Sequence, residues 1–329
     1  MFKNKPSVHW RIMMLFIFLL LAVAGIAVSI SFGAVQVSFR DLFGTIFLRE
    51  ESEYSSVIWN IRFPRTLVGA LVGINLALSG ALLQGLMKNP LADPHIIGVS
   101  SGAGLAGIVM IILFPAMDYL MTPVAFLGAM TAAIIVYFLA WKNGIQPTRI
   151  ILAGVAVSAL FGAGISGLMI FYSDRVHGAL MWLSGGLSTR SWPHFETVLP
   201  YTLAGVTVAL LGAKHMNAML LGDDTAKSLG VRVELTRLVM TAVAALLAAS
   251  AVSVVGLLGF VGLIVPHTAR MTIGSDYRYL IPASGLLGVA VVTFSDTVAR
   301  IAFAPVEIPV GIIMAVLGAP FFLYLLRRV

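Results

Sequence analysis

The six histidines of this chain could hold a metal ion or haem only if several of them came together. They are His9, His95, His177, His194, His215 and His267, and no two are four residues apart. Cysteine is absent, which excludes a disulfide framework and thiolate chemistry. No spacing of a nucleophile and a base supports catalysis. We therefore predict no metal site, no cofactor and no catalytic residue.

One glycine pattern has the form of a dinucleotide fingerprint. Residues 102–107 read GAGLAG, which matches G-x-G-x-x-G. That motif works only after a strand and before a helix, whereas here it lies within an apolar run. Close helix packing is the favoured interpretation. No G-x-x-x-x-G-K-[ST] sequence occurs, so the chain is not its own P-loop ATPase.

A short polar segment, residues 222–237, stands between long apolar runs. Asp223 or Asp224 could cap the start of a helix there, because a short carboxylate accepts hydrogen bonds from free first-turn N–H groups. Gly230 could end the helix in a left-handed conformation. We predict a compact helical element outside the membrane that offers a surface to a partner protein.

Composition places most of the remaining chain in a membrane. Hydrophobic residues make up 59% of the 329 residues, charged residues 11%, and the mean hydropathy is +1.00. Globular proteins carry about 25% charged residues. The net charge of +7 is typical of basic cytoplasmic loops rather than of nucleic-acid binding. The first apolar run follows Lys3, Lys5 and Arg11, and it is longer than the core of a signal peptide, so we predict that it is retained.

Hydropathy predicts ten spans within a single transmembrane domain that covers residues 1–329. The spans are residues 12–31, 66–87, 96–114, 122–141, 150–171, 198–211, 238–255, 257–265, 280–294 and 308–326. Residues 257–265 are too few to cross alone and form either a partial span or an extension of a neighbour. Ten spans put both termini on one side. Fourteen of the 21 Lys and Arg residues then fall on that side, which the positive-inside rule makes cytoplasmic.

Small residues recur every fourth position in two of these spans. The second span has Gly69, Gly73, Ala77, Ala81 and Gly85, and the fifth has Gly154, Ser158, Gly162 and Ser166. Such stripes allow close helix packing in lipid. A translocation path is the alternative, and the serines make the fifth span the better candidate for it. The loop that begins with Asn89 and Pro90 is either an ordinary connection or part of an inner gate.

Charged residues are predicted only at span ends. Arg62, Arg65 and Arg300 fall at the outer ends, where they are either interfacial anchors or a docking site for acidic side chains. Asp296 lies four residues before Arg300 and predicts a modest surface contact. The span centres contain no Asp, Glu, Lys or Arg, which argues against a proton-coupled carrier.

Several sequence segments resemble one family of membrane proteins. They are RFPRTL at residues 62–67, GALLQGLMKNPLADP at 80–94, GVSSGAG at 98–104, GFVGLIVPH at 259–267, EIPVG at 307–311 and LGAP at 317–320. In these segments, and over nearly its whole length, the chain is similar to the iron-siderophore and cobalamin (FecCD-type) permeases. Those are the membrane subunits of binding-protein-dependent ABC importers.

The resemblance implies an all-α polytopic fold with about ten transmembrane helices, the type II ABC importer permease fold. It also implies a second permease subunit, identical or a paralogue, two cytoplasmic ATPase subunits and an extracytoplasmic solute-binding protein. The location would be the bacterial cytoplasmic membrane, with both termini in the cytoplasm. Ferric siderophores are the expected cargo, with haem or cobalamin as alternatives. An ion-coupled secondary transporter is a remote alternative, and no nucleic acid is expected.

The resemblance also assigns roles to residues of this sequence. The coupling helix that seats on the ATPase corresponds to Gly222, Asp223, Asp224, Thr225, Ala226, Lys227, Ser228, Leu229, Gly230 and Glu234. The outer arginines that meet the binding protein correspond to Arg62, Arg65 and Arg300. The fifth span, with Gly154, Ser158, Gly162 and Ser166, lines the path. ATP hydrolysis belongs to a separate chain, so this one is not expected to be an enzyme.

Overall fold

The structure is a computed structural model that describes residues 6–33, 44–45, 54–142 and 147–327. Five of the basic residues used for the topology lie outside these ranges: Lys3, Lys5, Arg40, Arg49 and Arg328. The regular secondary structure within the ranges is helical, which confirms the all-α prediction.

Twelve α-helices of six residues or more follow one another in the described parts of the chain. They are α1 (Val8–Ser31), α2 (Phe63–Leu86), α3 (Val99–Leu113), α4 (Met121–Ala140), α5 (Pro147–Phe171), α6 (Val176–Ser184), α7 (Trp192–Met219), α8 (Asp223–Ser228), α9 (Val233–Val255), α10 (Val261–Ile273), α11 (Tyr277–Ile301) and α12 (Val310–Leu326). A π-helical turn, Ile58–Arg62, leads into α2, and a 3-10 turn, Pro94–Ile97, leads towards α3.

Seven of these helices are long and apolar enough to cross a membrane: α1, α2, α4, α5, α7, α9 and α11. The α3 and α12 helices are shorter apolar helices. The α10 helix has 13 residues, and at about 1.5 Å per residue it is shorter than a bilayer core is thick. Each of the ten predicted spans therefore corresponds to a helix. We call the end of the bundle that carries α8 the α8 end, and the opposite end the far end.

The predicted bounds of the eighth span, residues 257–265, are wrong. Residues 256–260 are not helical, and α10 runs from Val261 to Ile273 with Pro266 and His267 inside it. A proline within a helix leaves the carbonyl four residues before it without its usual N–H partner. That carbonyl belongs to Gly262, and it accepts a hydrogen bond from the Gln84 side chain at 3.3 Å. The helix therefore passes through Pro266 because α2 supplies the missing donor.

The sixth span is also longer than predicted. Hydropathy selected residues 198–211, whereas α7 extends from Trp192 to Met219. Polar residues such as Glu196 and Lys214 lowered the hydropathy of the two ends. At the start of α7, Ser191 and His194 form a capping box, so the helix begins well before the apolar run does.

The α2 helix lies at the centre of the bundle and is buried along almost all of its length. It packs against α7, α9, α10 and α11. A Cβ atom added to Gly80 would overlap the carbonyl oxygen of Gly262 in α10, and one added to Gly73 would overlap that of Gly288 in α11. The small-residue stripe of α2 therefore serves helix packing, the first of the two interpretations.

We predict that Gly80→Ala destabilises the protein, because the added methyl group would force α2 and α10 apart. Overpacking a tight contact costs about 1–3 kcal/mol. Gly162→Ala in α5 is the matched control, since no atom lies within 4 Å of the position that its Cβ would take. Thermal unfolding of the purified protein in detergent should show a lower Tm only for Gly80→Ala. Equal melting temperatures would contradict the packing at Gly80.

Candidate functional site

The polar segment at residues 222–237 folds into the α8 helix and the first turn of α9. Gly222 precedes α8 with a positive φ of 107°, and no side chain caps the helix. The prediction that Asp223 or Asp224 caps it is therefore wrong. Both residues lie inside the first turn, where their negative charges interact favourably with the positive end of the helix dipole. Glu234 belongs to α9 rather than to α8.

The end of α8 is as predicted. Gly230 has a φ of 81°, and its N–H donates to the carbonyl of Lys227 at 2.9 Å. The N–H of Val231 donates to the carbonyl of Ala226 at 3.0 Å. These two bonds form a Schellman motif, which favours glycine at the left-handed position. The chain then turns into α9 after four residues.

The α8 helix has one face towards the bundle and another towards the exterior. Ala226 is fully buried, and Asp223 is partly buried beside it. Within residues 222–230, the exposed residues are Asp224, Thr225, Lys227, Ser228, Leu229 and Gly230. Leu229 is 62% exposed, as is the neighbouring Leu221 at 63%. Exposed leucines beside charged side chains at the end of a membrane bundle make a surface suited to protein contact.

The carboxylate of Asp223 connects α8 to two other elements. Its Oδ1 accepts a hydrogen bond from Lys88 Nζ at 3.1 Å, and its Oδ2 accepts one from Arg237 Nη2 at 2.8 Å. Partial burial raises the pKa of Asp223, but the hydrogen bonds from Arg237 and Lys88 outweigh it and leave the pKa below its ordinary value. Asp223 is therefore ionised at neutral pH. Nothing in the sequence indicates its pairing with Lys88, which lies 135 positions away.

The loop after α2 begins beside this contact. Asn89 Oδ1 accepts a hydrogen bond from the N–H of Leu91 at 2.9 Å, which forms a tight turn around Pro90. Asp93 then caps the 3-10 turn Pro94–Ile97 by accepting from the N–H of His95 at 3.0 Å. The structure thus places Asn89 and Pro90 at the α8 end, next to the partner of Asp223.

The three predicted docking arginines cluster at the far end, and their side chains are buried. Arg65 forms a two-pronged ion pair with Asp296, at 2.9 and 3.1 Å, and a second ion pair with Glu307 at 2.9 Å. Arg300 pairs with the same Asp296 at 3.1 Å. Arg65, Arg300 and Asp296 are at most 7% exposed. The prediction of a modest surface contact between Asp296 and Arg300 is therefore wrong, because α2 and α11 enclose both residues.

Arginine side chains also cap the end of α1. Arg62 Nη1 donates to the carbonyls of Ile30 and Ser31 at 2.9 and 2.8 Å, and Arg300 Nη2 donates to the carbonyl of Ser29 at 2.9 Å. The last carbonyls of a helix lack partners within the helix and attract cations. The arginine cluster thus fastens α1, α2 and α11 together. Sequence analysis missed Glu307 as a member, although it begins one of the segments that carry the resemblance.

The α5 stripe changes character along its length. Gly154 packs against the carbonyl of Ile96, and Ser158 donates a hydrogen bond to Ser101 at 3.1 Å. Gly162 has no neighbour within 4 Å of its Cβ position, and Ser166 is exposed. Leu152 and Leu160 on the same helix are more than 65% exposed. One half of the stripe therefore packs and the other half is open, and the role of the open half in a translocation path stays a prediction.

A cavity of about 1110 Å³ opens at the far end between α4, α6, α7 and α9. Phe126, Trp182 and Tyr201 line its apolar part, and Arg190 and His194 line its polar part. None of the four α5 stripe residues lines it. No sequence pattern predicted this cavity, because its walls come from segments scattered between residues 111 and 309.

Within the described residues, no group of three His, Asp or Glu side chains could hold a metal ion. The glycines of the GAGLAG sequence lie in α3. A Cβ atom on Gly102 would overlap the carbonyl of Gly128 in α4, and one on Gly107 would overlap the ring of Trp182. These contacts agree with helix packing rather than with nucleotide binding.

A model of the FecCD transport family matches residues 19–328. This chain belongs to the FecCD transport family. It is the permease of an ABC importer, and such permease subunits are not themselves enzymes. The predicted family and the predicted fold class are both confirmed.

Known proteins of this kind resemble the permease over most of its length. The Fe(3+)-citrate import system permease protein YfmD of Bacillus subtilis is 36% identical over 97% of this chain and 95% of its own. The cobalamin import system permease protein BtuC of Halobacterium salinarum is 47% identical over 82% of this chain and 73% of its own. A solved structure described as an inward-facing ABC transporter of metal-chelate type has a TM-score of 0.85 and 31% identity. The match covers 96% of this chain and 99% of that one.

We predict that Asp296→Asn destabilises this permease strongly, because it leaves Arg65 and Arg300 buried without their shared counter-ion. Removing one partner of a buried ion pair costs about 3–5 kcal/mol. Asp224→Asn is the matched control, since the Asp224 side chain is fully exposed and surface changes usually stay within about 0.5 kcal/mol. Thermal unfolding in detergent should separate the two variants. A Tm for Asp296→Asn equal to that of Asp224→Asn would refute the role of the cluster.

Proposed function

We propose that this permease carries ferric siderophores across the bacterial cytoplasmic membrane, with its α8 end and both termini in the cytoplasm. A separate ATPase would hydrolyse ATP, and a solute-binding protein would deliver the chelate from outside. The observation that supports this proposal most directly is α8 itself. It is a short helix, closed at its C-terminal end by a Schellman motif, that carries exposed charges and leucines at one end of the bundle.

The cargo is inferred from the relatives and from the surface of α5. YfmD, whose name specifies Fe(3+)-citrate import, matches almost the full length of both chains. The exposed part of α5 between Leu152 and Phe171 carries apolar and small residues with no ionisable side chain. A path of this kind suits a bulky chelate that is recognised mainly by its binding protein. Cobalamin is the second candidate, because BtuC of Halobacterium salinarum shares 47% identity with this chain.

Assembly would require a second permease subunit, identical or a paralogue. The α5 and α12 helices leave large apolar side chains exposed, among them Leu160, Val316 and Leu323. Facing such surfaces across a dimer would enclose a path between two subunits. The stripe residues Gly154, Ser158, Gly162 and Ser166 would then line part of that path, and Asn89 and Pro90 would lie near its inner gate.

Uptake in cells that lack this chain tests the proposal. Radioactive ferric citrate, a ferric hydroxamate, haem and cobalamin are supplied in turn, and we expect loss of ferric siderophore uptake that the wild-type chain restores. Ala226→Pro should not restore it, because proline removes the bond from the Ala226 N–H to the Gly222 carbonyl. Ala226→Ser keeps that N–H and is the control.

The same assay separates the alternatives. Loss of cobalamin or haem uptake alone would replace the proposed cargo with that ligand. Uptake that survives ATP depletion but stops when an ionophore collapses the ion gradient would favour an ion-coupled secondary transporter instead. A permease that binds and discriminates siderophores tightly without its binding protein would contradict the proposed division of recognition.

We also propose that the binding protein docks at the far end, on or around Arg62, Arg65 and Arg300. Their burial means that a change of charge would also disturb folding, so each arginine is changed singly to glutamine and compared with Asp296→Asn. That variant disrupts the same cluster but keeps every positive charge. Docking through the arginines predicts weaker, salt-sensitive binding in the glutamine variants alone. Equal losses in all four variants would mean that the arginines act only on the fold.

A further inference from the structure

The C-terminal end of α2 has a backbone conformation that its sequence does not favour. The N–H of Lys88 donates to the carbonyl of Gly85 at 3.2 Å, and that of Asn89 donates to the carbonyl of Gln84 at 3.1 Å. These bonds form a Schellman motif with Lys88 at its left-handed position, where φ is 48°. Glycine or asparagine usually occupies that position, since a side chain is strained there. The same motif at the end of α8 has Gly230.

Strain at one residue needs a compensating contact or a function. The contact is visible, because the Lys88 ammonium reaches the Asp223 carboxylate at 3.1 Å. Both side chains are substantially exposed, at 47% and 37%, and exposed ion pairs add little to folding stability. Stability therefore does not account for a lysine at this position. The location of Lys88 offers an explanation, since it lies directly before the loop that begins at Asn89 and Pro90.

Asp223 is held firmly on its other side. Arg237, at the start of α9, is only 6% exposed and bonds to both Asp223 and Glu234, at 2.8 and 3.1 Å. The side chains of α8 that face outward, Asp224 and Lys227, take no part in this arrangement. A displacement of α8 would thus act on α9 through a buried guanidinium and on the loop after α2 through Lys88.

We propose that Lys88 is a positioning residue that transmits movement of α8 to the loop at residues 89–93. The inference rests on the proposed function, in which α8 follows the ATPase. Asp223 links the three elements, because its carboxylate joins α8 both to α9 and to the end of α2. ATP binding would move α8, and the ion pair would carry the loop with it.

Lys88→Gly separates this role from a structural one. Glycine relieves the positive φ, so the Tm should stay equal or rise, yet the link to Asp223 is lost. In proteoliposomes that contain the full importer, with ferric citrate as the first probe, we expect chelate transported per ATP hydrolysed to fall at least fivefold. Lys88→Arg should retain the ratio, and Asp223→Asn should lower it. Lys214→Gln, at an exposed lysine near the end of α7, is the control for loss of one positive charge.

A second measurement needs no chelate. Because the chain has no cysteine, Leu91→Cys gives a single labelling site in the loop. A spin label there should change its spectrum when ATP is added to the assembled complex, and should not do so in the Lys88→Gly background. The inference would be overturned if Lys88→Gly kept the wild-type ratio of chelate transported per ATP, or if its loop label responded to ATP as in the wild type. An equal fall of that ratio in Lys214→Gln would also overturn it. A wild-type complex whose loop responds to ATP but which transports no chelate would count against the proposed function alone.

Discussion

The close contact between α2, the central helix of the bundle, and α10 depends on glycines that have no side chain at the point of contact. Gly80 allows the two backbones to touch. The carbonyl of Gly262 accepts a hydrogen bond from the Gln84 side chain because Pro266 has no N–H to donate to it. In a lipid environment a backbone carbonyl without a donor is costly, so irregular backbone is tolerated only inside protein. The α10 helix can therefore begin partway through the bundle, after the non-helical residues 256–260, because α2 supplies both the space and the hydrogen bond.

Charge is concentrated at the two ends of the bundle in different ways. At the far end, Arg65, Asp296 and Arg300 are buried and mutually satisfied, with Glu307 partly exposed beside them. At the α8 end, the pair of Asp223 and Lys88 remains in contact with solvent. A buried cluster resists rearrangement, since separating its members leaves unpaired charges. An exposed pair can move with its helices. Buried ion pairs therefore hold the helices together at the far end, whereas the ion pair between Lys88 and Asp223 at the α8 end is exposed.

The position of α8 connects the family assignment to a mechanism. Its outward face offers Asp224, Lys227 and Leu229, while its inward face places Ala226 and Asp223 against the bundle. Through Asp223, the same helix contacts both Lys88 at the end of α2 and Arg237 in α9. Cargo specificity is a separate matter, since relatives named for iron citrate and for cobalamin both resemble this chain in sequence over most of its length. In the proposed mechanism, the contacts of α8 transmit movement, whereas the path lining and the binding protein select the cargo.

Hydropathy and sequence segments alone predicted the all-helical class, the family, the polar helix α8 and a helix for each of the ten predicted spans, because those features are local in the sequence. Seven of the ten helices are long and apolar enough to cross a membrane. The sequence predictions failed where polar or proline-containing segments continue a helix, as in α7 and α10, since a hydrogen bond from Gln84 to α10 is invisible along the chain. They also failed where charges were taken as exposed. Arg65 and Asp296 are 231 positions apart, and only the packing of α2 on α11 makes them a buried pair. The same reason applies to Lys88 and Asp223, whose contact exists only when α8 folds back beside the end of α2.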